Sequence, residues 1–127
     1  MEIKNKKVVV TGAASGIGKE LCIAFKSHGA ASICAVDVNL DGAQETAQQI
    51  SGMSLFADVS KEEDIKNVIE KTTKEFGGID IFCSNAGIGG LPGFFESETA
   101  DWQKIWEINV QAHIHAAKHV LPQMLDR

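Results

Sequence analysis

The sequence predicts an α/β protein built on a doubly wound parallel sheet of about four strands, with helices on both faces. Apolar runs of strand length alternate along the chain with longer segments in which apolar residues recur every three or four positions, as on one face of a helix. The connections between these segments are short, which favours parallel strands joined by right-handed crossovers. A chain of 127 residues is long enough for one such domain and too short for two, so we treat residues 1–127 as one unit.

The first strand, turn and helix lie in the stretch KKVVVTGAASGIGKEL, residues 6–21. Its three consecutive valines, residues 8–10, suit a strand that is buried on both faces. Helical spacing predicts that the next segment buries one face made of Ile17, Leu21, Ala24, Phe25 and His28. Gly12, Gly16 and Gly18 therefore fall at a turn between a strand and a helix.

Two more strand and helix pairs are predicted before the fourth strand. Strands are expected at residues 32–37 and 53–58, and an amphipathic helix follows each of them. Ser60 begins the second of these helices, with Glu63 three positions later at the spacing of a capping box. The acidic run at residues 62–64 is interpreted as a solvated first turn, where negative charge is favourable.

The fourth strand and the last helix complete the predicted fold. Residues 79–87 form a strand that runs into a turn, and a glycine-rich loop follows. The last helix begins near Thr99 and carries one apolar stripe, made of Trp102, Ile105, Trp106, Ala112, Ala116 and Val120. Asn109 falls on that stripe, so its amide is expected to face the interior and to need hydrogen-bond partners.

The composition argues against several classes of function. The net charge is −5 and the only arginine is Arg127, so the chain offers no basic stripe for nucleic acid. The apolar run near the N-terminus stops after three valines, which is too short for a signal-peptide core or a membrane span. We expect a cytoplasmic protein that contacts neither nucleic acid nor membrane.

Neither the cysteines nor the histidines indicate a metal site. Cys22, Cys34 and Cys83 are odd in number and lie in apolar segments, as reduced core thiols do. His115 and His119 are four positions apart on the last helix, but no carboxylate or cysteine stands at a matching spacing. We therefore expect no bound metal.

The glycine-rich turn predicts that the protein binds a dinucleotide. A helix N-terminus offers unpaired N–H donors and partial positive charge, and residues without side chains let a phosphate approach them closely. Asp37 ends the second strand, 19 residues after Gly18, where a carboxylate can accept hydrogen bonds from the hydroxyls of an adenosine ribose. Glycines alone would be weak evidence, but here they join a buried strand to an amphipathic helix.

The glycine spacing and three further motifs resemble the short-chain dehydrogenase/reductase family. TGAASGIG at residues 11–18 has the family's T-G-x-x-x-G-x-G form, and DV at 58–59 resembles its adenine-contacting pair. SNAG at residues 84–87 resembles the family's N-N-A-G turn, with Ser84 in place of the first asparagine. WQKIWEINV at 102–110 resembles the segment that carries the family's helix asparagine. The motifs keep the family's order over essentially the whole chain, which implies a Rossmann-like fold.

The resemblance implies a site for a nicotinamide dinucleotide. Its residues are Gly12, Ser15, Gly16, Ile17 and Gly18 at the pyrophosphate and ribose, Asp37 at the adenosine ribose, Asp58 and Val59 at the adenine, and Asn85, Ala86 and Gly87 beside the cofactor, with Thr11 supporting that turn. The resemblance also implies a catalytic role for Asn109, which helps to hold a water in a proton relay with the family's catalytic lysine and tyrosine.

Three of these residues also have structural interpretations. Asp58 can close a turn before Ser60, and Asn85 can fasten two loops through hydrogen bonds. Asn109 can be a buried amide whose role is structural. For Asp58 the structural interpretation is compatible with cofactor contact, whereas for Asn85 we expect the fastening of two loops to be the larger role.

Asp37 predicts a preference for NAD over NADP. NADP carries a further phosphate on the adenosine 2′-hydroxyl, which a carboxylate at the ribose would repel. The residues after Asp37 are Val38, Asn39 and Leu40, and none of them is a cation that could offset this repulsion.

The chain departs from the family pattern because it contains no tyrosine. The family's acid/base tyrosine and its lysine, in a Y-x-x-x-K arrangement, lie on a helix beyond the one that ends at Arg127. We therefore expect a truncated protein, the amino-terminal, cofactor-binding half of an NAD-dependent oxidoreductase that acts on a small secondary alcohol or ketone and is inactive alone. The family also suggests a homo-oligomer through the last helix.

Two other classes of function are also open to a chain with this sequence. The chain can be a dinucleotide-binding or interaction module that performs no chemistry. It can also be a nucleoside binder similar to methyltransferases, although the glycine spacing and the SNAG turn argue against that class.

Overall fold

The computed structural model describes residues 2–127 and contains four strands that alternate with helices. The elements are β1 (Lys7–Thr11), α1 (Gly16–Ser27), β2 (Ser32–Asp37), α2 (Leu40–Ile50), β3 (Met53–Phe56), α3 (Glu62–Phe76), β4 (Ile81–Cys83), α4 (Thr99–Trp106) and α5 (Ala112–Leu125). A π-helical turn, Glu107–Gln111, joins α4 to α5 without a break.

The four strands form one parallel sheet in the order β3-β2-β1-β4. Val9 of β1 lies opposite Cys34 on one side and Phe82 on the other, so β1 is an inner strand. The chain moves outward from β1 to β3 and then returns to the far side of β1. This reversal opens a crevice at the carboxyl end of β1, the usual ligand position in sheets of this kind.

Both faces of the sheet are covered, as the valine run predicts. Val8 and Val10 pack with residues of α1 and α2, whereas Val9 packs with residues of α3 and α5. Successive side chains of a strand point to opposite faces, so a strand with helices on both sides is apolar throughout. The doubly wound α/β fold is confirmed.

The predicted buried face of α1 is partly wrong. Phe25 is buried as expected, but Ile17 is 74% exposed, and the buried residues of the helix are Gly18, Cys22 and Phe25. The face that α1 turns towards the core is set by Gly18, which packs against the backbone of Gly12 so closely that no side chain would fit. This contact turns the side chain of Ile17 outward.

The predicted capping box at Ser60 and Glu63 is also wrong. Helix α3 begins at Glu62, and the Ser60 hydroxyl donates instead to Asp58 Oδ1 at 2.6 Å. The box-like contact occurs at α4, where the Glu98 N–H donates to Asp101 Oδ2 at 2.9 Å. Ser60 serves the loop before α3 because an acidic partner stands two residues away.

The apolar stripe of the last helix is confirmed in its second half only. Ala112, Ala116 and Val120 are buried against α3 and the sheet, whereas Trp102 and Trp106 are about half exposed, at 47% and 51%. The π-helical turn between the two halves has a wider hydrogen-bonding pattern than an α-helix. The π-helical turn rotates the apolar face of α5 relative to that of α4, so a single helical spacing of apolar residues does not describe both helices.

The cysteine thiols are unbridged throughout the described chain. Cys22 and Cys34 pack as small core residues, as predicted, and burial raises the pKa of Cys22 to about 12 and that of Cys34 to about 11. Cys83 is half-buried at the carboxyl end of β4. Among residues 2–127, no helix has both the length and the apolar character needed to cross a membrane.

Candidate cofactor-binding cleft

A cleft of about 580 Å³ lies at the carboxyl ends of the strands. Eleven of the twelve residues predicted to bind or support the cofactor line it: Gly12, Ser15, Gly16, Ile17, Gly18, Asp37, Asp58, Val59, Asn85, Ala86 and Gly87. The fold thus brings together four segments that are far apart in sequence. Five lining residues were missed by the sequence analysis: Val38, Ala57, Ile88, Lys104 and Ile108.

The glycines after β1 serve two different needs. A Cβ on Gly18 would lie 2.6 Å from the carbonyl carbon of Gly12 and 2.8 Å from Asn85 Nδ2, which are impossible contacts. A Cβ on Gly16 would meet no atom within 4 Å, but Gly16 has φ +52°, a conformation that side chains disfavour. Gly18 therefore permits close packing behind the cleft, and Gly16 keeps its wall open.

The N-terminus of α1 is suited to hold an anion. In the described structure the Ser15 side chain makes no capping hydrogen bond, and the first turn of α1 holds no acidic residue. By contrast, Asn39 Oδ1 accepts the Gly42 N–H at 3.1 Å at the start of α2. The first N–H groups of α1 border open space beside Gly16, where phosphate oxygens can accept hydrogen bonds from them.

Thr11 lies behind the cleft and fastens its floor. The buried hydroxyl accepts the N–H groups of Asn85 at 3.0 Å and Ala86 at 3.1 Å, and it donates to the Cys83 carbonyl at 3.4 Å. The Asn85 amide returns a hydrogen bond to the Thr11 carbonyl at 3.0 Å. Asn85 therefore does fasten two loops, and it also borders the cleft.

Asp37 is held in a fixed orientation at the end of β2. Its Oδ2 accepts the Ala14 N–H at 3.0 Å, and its Oδ1 accepts the Asn39 N–H at 2.9 Å. Each carboxylate oxygen keeps capacity for a further hydrogen bond, and the side chain borders the cleft.

Asp58 closes a turn and borders the cleft at the same time. Its Oδ1 accepts the Ser60 hydroxyl and, at 3.1 Å, the Ser60 N–H, and Lys61 Nζ lies 3.8 Å from Oδ2. The hydrogen bond from the Ser60 side chain is the main cause that lowers the pKa of Asp58 below its ordinary value. Asp58 therefore carries a negative charge at neutral pH.

Asn109 stands beside the cleft, inside the π-helical turn. Its Oδ1 accepts the Ile88 N–H at 2.9 Å, and its Nδ2 donates to the Ile88 carbonyl at 2.8 Å. The half-buried amide is satisfied by the loop that follows the SNAG turn. Single π turns occur often at functional sites.

The histidines of α5 contact polar partners. Glu62 was expected to be solvated, but its Oε1 lies 2.7 Å from Lys118 Nζ and 2.8 Å from His119 Nε2. The hydrogen bond from Lys118, followed by that from His119, lowers the pKa of Glu62 to about 2. His113 Nδ1 lies 2.6 Å from the Ser84 hydroxyl. Across the part of the chain that is described, no three His, Cys, Asp or Glu side chains form a group that could hold a metal ion.

Comparison with known proteins agrees with this architecture. Residues 6–127 match the family model described as short chain dehydrogenase. Zerumbone synthase from Zingiber zerumbet is 34% identical, and 7alpha-hydroxysteroid dehydrogenase from Escherichia coli (strain K12) is 33% identical. Each alignment covers 98% of this chain and 50% of the relative.

A solved structure extends the likeness to three dimensions. The crystal structure of hydroxysteroid dehydrogenase from Escherichia coli superposes with a TM-score of 0.89 and 32% identity, over 98% of this chain and 55% of that chain. The chain thus spans about half the length of the relatives that it matches. With a family match over nearly its whole length, the chain belongs to the short-chain dehydrogenase/reductase family.

Proposed function

We propose that this chain is the cofactor-binding half of a short-chain oxidoreductase and that it prefers NAD to NADP. Membership in the family implies a nicotinamide dinucleotide. The observation that carries the preference is the carboxylate of Asp37, which borders the cleft with both oxygens oriented by backbone N–H groups.

The cleft residues fit such a cofactor. The uncapped start of α1 and the open space beside Gly16 suit the pyrophosphate, and Asp37 offers acceptors to ribose hydroxyls. Asp58 and Val59, which the family resemblance assigns to the adenine, border the same cleft. The bound cofactor would supply a hydride acceptor at its nicotinamide ring.

The charge of the cleft favours the cofactor without a 2′-phosphate. Two like charges about 4 Å apart repel by up to about 4 kcal/mol at an effective dielectric constant of about 20. Among the described residues that line the cleft, the only lysine or arginine is Lys104, whose charge acts on Asp58. Each ~1.4 kcal/mol of repulsion that stays uncompensated at Asp37 lowers the affinity for NADP tenfold.

Calorimetric titration of the chain with NADH and NADPH tests the preference. We expect NADH to bind at least about tenfold more tightly. The Asp37→Ala substitution should weaken NADH binding and bring the two affinities together, and Asp37→Asn should give an intermediate ratio. Asp41→Ala removes an exposed carboxylate at the start of α2 and should change neither affinity. Equal affinities in the unmodified chain would contradict the proposal.

The proposed reaction of the whole protein is reversible hydride transfer between the nicotinamide and a secondary alcohol or ketone. The name of one relative, a 7alpha-hydroxysteroid dehydrogenase, indicates a secondary alcohol as the substrate of that protein. The 127 residues contain no tyrosine to act as the family's acid/base, so we propose that they bind the cofactor without turning it over. A missing acid/base lowers rates by about 10²–10⁴.

Absorbance at 340 nm, recorded with NAD and a panel of secondary alcohols, measures turnover by the purified chain. We expect no NADH above the level of a buffer control. Steady production that survives further purification would overturn this prediction. A cytoplasmic location and a homo-oligomer through the last helix stay predictions.

A further inference from the structure

Lys104 is a cleft residue that the sequence motifs do not identify. It lies on α4 and borders the cleft with an exposed side chain. Ile108, which also lines the cleft, belongs to the π-helical turn that follows α4. Lys104 is thus the single contribution of α4 itself among the lining residues that the structure describes.

Asp58 borders the same cleft as Lys104 but comes from a different part of the chain. Asp58 lies in the loop between β3 and α3, and both side chains border the same volume. The positive charge of Lys104 contributes to the lowered pKa of Asp58, after the larger effects of Ser60 and Lys61. The ammonium group of Lys104 is therefore near enough to Asp58 to act on its charge, and both side chains border the cleft.

A lysine in this position combines two properties. Its methylene stem can cover an apolar surface while its ammonium group stays in water. A cation held near the face of an aromatic ring is also attracted by the ring electrons. Val59 borders the cleft next to Asp58 in sequence and offers an apolar side chain that a flat ring can contact.

We infer that Lys104 forms the outer wall of the adenine subsite that also contains Asp58 and Val59. This inference rests on the proposed function, because it takes the cleft to hold an adenine dinucleotide. Lys104 then recognises the adenine half of the cofactor and contributes little to the nicotinamide half. A different role, attraction of the pyrophosphate by charge alone, would act on every phosphate-bearing ligand and would weaken with salt.

Binding measurements with three ligands separate these roles. Adenosine has the ring and no phosphate, reduced nicotinamide mononucleotide has a phosphate and no adenine, and NADH has both. Each is titrated into the unmodified chain, Lys104→Ala and Lys104→Met by calorimetry or NMR shift mapping. Lys71→Ala is the control, because Lys71 is an exposed lysine of α3 outside the cleft.

We expect Lys104→Ala to weaken adenosine and NADH by the same factor, about two- to fivefold, and to leave the mononucleotide unchanged. Lys104→Met keeps most of the methylene stem, so its affinity for adenosine and NADH should fall less than that of Lys104→Ala. The inference is overturned if Lys104→Ala matches Lys71→Ala, or if NADH and the mononucleotide weaken while adenosine does not. If the unmodified chain binds neither NADH nor adenosine, both the proposed function and the inference about Lys104 are wrong.

Discussion

The turn after β1 and the last helix are built in opposite ways. At the turn, residues without side chains let backbone groups touch, as where Gly18 packs against Gly12. Along the last helix, Trp102 and Trp106 are half exposed, and only a narrow stripe of small apolar residues is buried. Polar contacts supplement that stripe in attaching the helix to its neighbours. The turn tolerates few residue types at each position, whereas the helix tolerates many. We therefore expect substitutions at the turn to cost the most stability.

The largest expected effect is at Gly18. Replacing it with alanine forces a Cβ against the carbonyl group of Gly12, which belongs to the backbone and cannot rotate away. We expect the free energy of unfolding to fall by about 3 kcal/mol, measured by urea denaturation. Gly16→Ala is the matched control, because its Cβ meets open space and only the positive φ is strained, at about 1 kcal/mol. Equal losses for the two variants would show that the close contact is not what limits this position.

A smaller effect is expected at Thr11. The Thr11→Val substitution keeps the shape but removes the acceptor for the N–H groups of Asn85 and Ala86. Leaving buried N–H groups without a partner costs about 1–3 kcal/mol. Because these two hydrogen bonds are only partly buried, we expect a loss towards the lower end of that range in urea denaturation, together with weaker NADH binding. Thr11→Ser retains the hydroxyl and should lose less. If the serine variant is the less stable one, the methyl group of Thr11 matters more than its hydrogen bonds.

The smallest effect is expected on the helix side, at Glu62. The Lys118 hydrogen bond, with that of His119, holds the pKa of Glu62 at about 2, below its ordinary value of 4.5. A lowered pKa means that the pair stabilises the fold fully above about pH 4.5 and loses this contribution as the pH falls towards 2. Glu62→Gln should therefore be less stable than the unmodified chain at pH 6, and the difference should shrink at pH 3.

Thermal unfolding at several pH values measures this difference. Glu63→Gln is the control, since it removes a first-turn charge of α3 whose ion pair, with Lys66 at 3.6 Å, stays within the helix. A Glu62 difference that is constant from pH 6 to pH 3 would mean that the ion pairs between α3 and α5 do not stabilise the fold.

The sequence identified residues that line the cleft more accurately than it identified the buried faces of the helices. The residues of the glycine turn, Asp37 and the SNAG turn line the cleft, and they pack against backbone groups or form hydrogen bonds with them. Few residue types can do this at each position, so the pattern can be recognised in the sequence. The face that α1 buries depends on where Gly18 meets Gly12, a contact that spacing of apolar residues does not reveal. The half exposure of Trp102 depends on the π-helical turn, which has no strong local pattern of residues. The position of Lys104 in the cleft could not be predicted, because a lysine on a helix is usually part of a solvated surface.

The strand order also sets an order of assembly. Val8 pairs with Ile33 in β2 and with Ile81 in β4, and Ile81 is almost three times as far from it along the chain. Closing the longer loop costs roughly 1 kcal/mol more entropy, so β2 is expected to join β1 before β4 does. The cleft is complete only when β4 has docked and brought the SNAG turn to Thr11. A bound dinucleotide would then stabilise the state in which β4 is docked, and it would slow the detachment of β4 with which unfolding is expected to begin.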